Sequence, residues 1–105
     1  MAKADAADKL RKQPGFAPVW SDHAGNERLP EYLDKYGLDK LSCERIVRTG
    51  HIGTSERNLR TGRENVHVRG TVDGMTVDVV VDPQSFDGAE YAVIVTIKPK
   101  PKSGK

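Results

Sequence analysis

Residues 65–82, NVHVRGTVDGMTVDVVVD, decide the fold. Two runs rich in Val and Thr flank Asp73-Gly74, a strong signal for a two-residue hairpin turn. The register can be checked. If Val72 faces Met75, then Gly70 faces Val77, Val68 faces Val79 and Val66 faces Val81, all on one apolar side. The other side pairs Thr71 with Thr76, Arg69 with Asp78 and His67 with Val80. A hydroxyl pair and an opposite-charge pair fall in the same register, as matched antiparallel strands require.

Outward from the hairpin, Pro83 is expected to end the second strand, and QSFDGA at 84–89 to turn at Asp87-Gly88. A third strand follows from Glu90 to Lys98, with Tyr91, Val93, Val95 and Ile97 on one side and Ala92, Ile94 and Thr96 on the other. On the N-terminal side, residues 49–64 carry glycines, threonines and polar residues and read as a long loop. Ser55 could cap a single helical turn within it. Before the loop, a helix over Leu38–Arg48 has Asp39 in its first turn and Arg45 and Arg48 in its last. Leu38, Leu41 and Arg45 fall on one stripe of it, and Leu41, Ile46 and Val47 supply its apolar contacts. Another helix starts at Pro30, carries Tyr32, Leu33 and Tyr36, and stops at Gly37. Residues 21–29 read as a polar loop, and Phe16, Val19 and Trp20 as an irregular segment docked on the core.

The fold class is α+β: one or two N-terminal helices packed on an antiparallel β-meander of at least three strands. Residues 16–98 form a single domain. Residues 1–15 are a polar, partly disordered arm, because Leu10 is the only large apolar residue in the helix-forming stretch 1–12. Residues 99–105 are a basic disordered tail.

The chain has 105 residues and a net charge of +2, unevenly spread. Residues 45–69 hold six arginines against two glutamates, and residues 70–97 hold five acids and no Lys or Arg. Arg suits bidentate contact with phosphate or carboxylate. The longest apolar runs fall far short of a membrane span, so no membrane partner is expected. The one cysteine, Cys43, cannot close an internal disulfide, which fits a reducing cytoplasm. Three scattered histidines and one cysteine argue against a metal site, and no cofactor motif is present.

Three groups could carry chemistry. His51, between Gly50 and Ile52, is a candidate proton-transfer residue. Arg57, Arg60 and Arg63, spaced by three, could clamp phosphate oxygens. His67, Arg69, Thr71 and Thr76 share a polar sheet side, which Thr96 of the third strand could approach, and that side is either solvated or lines a cleft. His51, Arg60, Arg63 and Arg69 are expected to meet on one basic surface.

GHIG at 50–53, SERNLRTGR at 55–63 and YAVIVTI at 91–97, following helices in this order, resemble the small ribonuclease toxins that include barnase, EndoU, the tRNA-cutting colicins and RelE-type toxins. The resemblance covers roughly residues 30–98. It implies metal-independent RNA cleavage by 2′-hydroxyl attack, with His51, Arg60, Arg63 and Thr96 as the catalytic set. Arg45, Arg48, Arg57, His67, Arg69, Lys98 and Lys100 would bind the nucleic acid. Two other readings fit the charge layout: a nucleic-acid-binding module of a phage or mobile element, and a small protein-interaction, inhibitor or phage assembly protein.

Overall fold

The computed structural model describes residues 3–57, 59, 62–86 and 89–100. It is α+β, with helices α1 (Lys3–Arg11), α2 (Leu29–Tyr36) and α3 (Lys40–Thr49) preceding most of a five-stranded sheet. The strands are β1 (Val19–Trp20), β2 (His51–Arg57), β3 (Glu64–Val72), β4 (Met75–Phe86) and β5 (Ala89–Lys100). Their spatial order is β1-β5-β4-β3-β2. All neighbours are antiparallel except β1, which lies parallel to β5 through Val19–Val93 and Trp20–Ile94.

The β3–β4 hairpin has the register read from the sequence, from Val66–Val81 to Val72–Met75. Asp73 (φ 50°) and Gly74 (φ 82°) both take the left-handed conformation. That is the type I′ turn, whose twist matches the strands it joins. Gly37 (φ 69°) closes α2, and its N–H donates to Leu33 O. Asp39 caps α3, its side chain accepting from the Ser42 N–H at 2.8 Å.

One apolar layer unites helices and sheet. Ala7 of α1, Leu38, and Cys43, Ile46 and Val47 of α3 share a buried cluster with Val66, Val68 and Val72 of β3, Val77, Val79 and Val81 of β4, and Ile94 and Ile97 of β5. Ile46 lies over Gly70, where a Cβ would stand 2.7 Å from Ile46 Cγ1. Glycine thus lets α3 approach the sheet closely. Burial raises the Cys43 thiol to about 12, which leaves it protonated and inert.

Several expectations are corrected. The N-terminal segment is not an unpacked arm: α1 buries Ala7 and Leu10, and Lys3 Nζ pairs with Asp82 Oδ1 at 3.2 Å. Val19 and Trp20 form a strand, and residues 23–28 continue as a π-helical turn into α2. Leu41 is 70% exposed, and the buried side of α3 is Cys43, Ile46 and Val47. Within the stretch read as a long loop, His51–Arg57 form edge strand β2, with a bulge between Ile52 and Ser55, and Ser55 lies in the strand instead of capping a helical turn. Pro83 does not end β4. The β3 ladder stops at Val66–Val81, so Pro83 pairs on one side only, where a missing N–H is tolerated. Strand β5 runs through Pro99 and Lys100, two residues assigned to the tail. Its register shifts by one at Val95, so Ile94 and Ile97 both reach the core instead of falling on opposite sides. The expected Asp87-Gly88 turn and residues 101–105 lie outside the described residues.

Candidate functional site

The side of the sheet turned from the apolar cluster carries two adjoining clefts. The larger, of about 440 Å³, is lined by His23, Arg57, Asn65, His67, Thr96 and Lys98, among others. The smaller, of about 310 Å³, is lined by His51, Gly53, His67, Arg69 and Asp78. His67 belongs to both. Strand alternation explains the set: Asn65, His67 and Arg69 project from β3 opposite to Val66 and Val68.

The smaller cleft is neutralised from within. Arg69 Nε and Nη2 donate to the two Asp78 oxygens at 2.8 and 3.3 Å, and Lys100 Nζ lies 3.1 Å from Asp78 Oδ2. The Arg69 contact, outweighing the cost of burial and aided by Lys100, holds the Asp78 carboxyl down at about 2. Asp78 in turn raises Arg69. His67 faces acceptors on both sides, Glu56 Oε2 at 3.0 Å from Nε2 and Asp78 Oδ2 at 3.6 Å from Nδ1. His51 stands directly across from Arg69 in the β2–β3 ladder and is exposed. Gly50 makes this placement possible, because a Cβ there would lie 2.6 Å from both Arg69 O and Ile46 O.

The larger cleft has a different charge state. Among the described residues, neither Arg57 nor Lys98 is ion-paired. Thr96 sits opposite Val80 in the β4–β5 ladder, beside the cleft floor. His23 enters from the π-helical turn. Its Nδ1 lies 3.1 Å from Glu27 Oε2, and Arg28 Nε donates to its Nε2 at 3.2 Å. The ring therefore has a carboxylate on Nδ1 and a lone pair on Nε2, which fits a proton acceptor.

The candidate residues divide accordingly. Arg57, His67, Thr96 and Lys98 converge on the larger cleft, and His51, His67 and Arg69 on the smaller. Lys100 reaches the smaller cleft through Asp78. Arg63 is not beside His51, since it pairs with Asp82 near Lys3, at the other end of β3 from Arg69. Arg45 and Arg48 are exposed on α3 and line neither cleft. Arg60 lies outside the described residues. Sequence reasoning missed His23, although His23 and Glu27 are spaced i, i+4, the spacing of a helical side-chain pair. It also missed the buried Asn65.

Among the described residues, no group of three or more His, Cys, Asp or Glu side chains could hold a metal ion, and no helix is long and apolar enough to cross a membrane. Comparisons of the chain with protein-family models, with characterised proteins and with solved structures find no match.

Proposed function

We propose that the larger cleft binds RNA and cleaves it by attack of a ribose 2′-hydroxyl on the adjacent phosphate. The observation that carries this reading is one open cleft holding two imidazoles, His23 and His67, with Arg57, Lys98 and Thr96. Arg57 and Lys98, without an ion-pair partner among the described residues, would take the phosphate, and the Thr96 hydroxyl would donate to one of its oxygens.

In the step proposed, His23 Nε2 accepts the 2′-hydroxyl proton while Glu27 holds the ring through Nδ1. Arg28 must first release Nε2. The 2′-oxygen bonds to phosphorus, the bond from phosphorus to the 5′-oxygen breaks, and His67 supplies the proton that the leaving 5′-oxygen takes. The products are a 2′,3′-cyclic phosphate and a 5′-hydroxyl. The proton acceptor is thus His23 in place of His51, and Arg57 and Lys98 stand where Arg60 and Arg63 were expected.

The test is purified protein with total RNA in EDTA, analysed for cyclic phosphate ends. Cleavage should be lost in His23→Ala, and the 2′-deoxy counterpart of the RNA should not be cut at all. Cleavage undiminished by His23→Ala would sink the assignment. Salt-sensitive binding with no product would favour a non-cutting nucleic-acid module.

A further inference from the structure

The Asn65 amide has no evident structural task. The residue is 7% exposed, yet it lines the larger cleft. Among the described residues no hydrogen bond reaches its side chain, and no fully enclosed side-chain polar atom lacks a partner. Its amide atoms therefore open toward the cleft, the one route by which they can be satisfied. A buried, unpartnered amide is costly unless something meets it.

What meets it can be read from the amide and its neighbours. An Asn side chain presents a donor and an acceptor side by side, the complement of the donor–acceptor edges of nucleobases. Val80, 3% exposed, and Val95 add apolar surface beside it, and Leu59 stands 93% exposed at the rim. Arg57 and Lys98 place positive charge in the same cleft. Flat apolar contact, a paired donor and acceptor, and cations for phosphate together describe a nucleotide.

We infer that the larger cleft takes an unpaired nucleobase, with the Asn65 amide on its edge and Val80 and Val95 against its face. The inference rests on the RNA reading above for the source of the base, and it adds that the protein chooses among RNA positions by base identity. Phosphate contacts alone would give no such choice.

The experiment titrates the protein with each of the four ribonucleoside 5′-monophosphates and with ribose 5-phosphate, followed by NMR. At least one nucleotide should bind about tenfold more tightly than ribose 5-phosphate, the worth of one or two good hydrogen bonds. It should also shift the Asn65 side-chain NH2 signals and the Val80 methyls. Asn65→Asp, which loses the donor, should reduce the preference about tenfold while keeping a folded spectrum. Equal binding of ribose 5-phosphate, or nucleotide binding that leaves the Asn65 signals unmoved, would overturn the inference. The wild-type signals decide this even if the variant does not fold. Nucleotide binding at Asn65 without RNA cleavage would uphold the base site and defeat the cleavage reading. Cleavage with no base preference and no Asn65 shift would do the reverse.

Discussion

On β3, Val66, Val68 and Val72 lie under the helices with at most 7% of their surface exposed, while Asn65, His67 and Arg69 alternate with them and line open clefts. The valines are held by volume, so a change of one or two carbons is felt as stability. The cleft residues are held by directional contacts: His67 by Glu56 and Asp78, Arg69 by Asp78, His23 by Glu27. The same strand therefore carries two kinds of sensitivity, one residue apart. Substitutions on the covered side should move the unfolding transition. Substitutions on the open side should move binding or chemistry and leave the transition nearly in place, except where they break the ion pairs of the buried Asp78.

The contrast can be broken in several ways. The largest effect expected is on chemistry: His23→Ala should lower RNA cleavage by about 10²–10⁴-fold, the usual worth of a positioned proton acceptor. His51→Ala should change it little, because His51 lines only the smaller cleft. Cleavage assays on both variants, with thermal melts as a folding control, check this. On the covered side, Ile94→Ala should destabilise by about 2–5 kcal/mol, seen as a lower urea midpoint with cleavage per folded molecule preserved. Gly70→Ala should cost about 1–3 kcal/mol by overpacking against Ile46, which is 3% exposed and has little room to yield.

Asp78 sharpens the comparison through pH. Its carboxyl is held at about 2 in the fold against an ordinary value of 3.8. Because the folded value is depressed, the stabilisation is complete above about pH 4 and is lost as pH falls toward 2. The loss should be about 2 kcal/mol. Urea midpoints measured from pH 5 to pH 2 should show it, and Asp78→Asn should flatten that part of the profile. The smallest effect expected is from Leu41→Ala, at a 70% exposed position, which should stay within about 0.5 kcal/mol.

The legibility of the sequence followed the same division. The β3–β4 register was readable because valine alternation, a Thr–Thr pair and an Arg–Asp pair all require the same alignment. Strand β2 was not, because HIGTSER has a single aliphatic residue, Ile52, and is made a strand by the backbone groups that β3 offers it. The phase of β5 was hidden by YAVIVTI, which is apolar at both odd and even positions and so gives no warning of a bulge at Val95. Four of the candidate site residues, Arg57, His67, Thr96 and Lys98, meet in one cleft. His51 and Arg69 meet in the next. Arg63 went astray because an Arg-rich segment does not say which acid each arginine will find, and Asp82 claims this one. His23 was obscured by its setting, SDHAGNER, whose composition is that of a turn.

Lys3 meets Asp82 across 79 residues, and β1 is completed by Val93 and Ile94. During synthesis on the ribosome, the N-terminal strand and the anchor of α1 emerge long before their partners exist. The β3–β4 hairpin, closed by a two-residue turn, needs no such wait and can form as soon as it is free. The hairpin can thus organise from its own residues, whereas α1 and β1 can be fastened only once β4 and β5 are available to them.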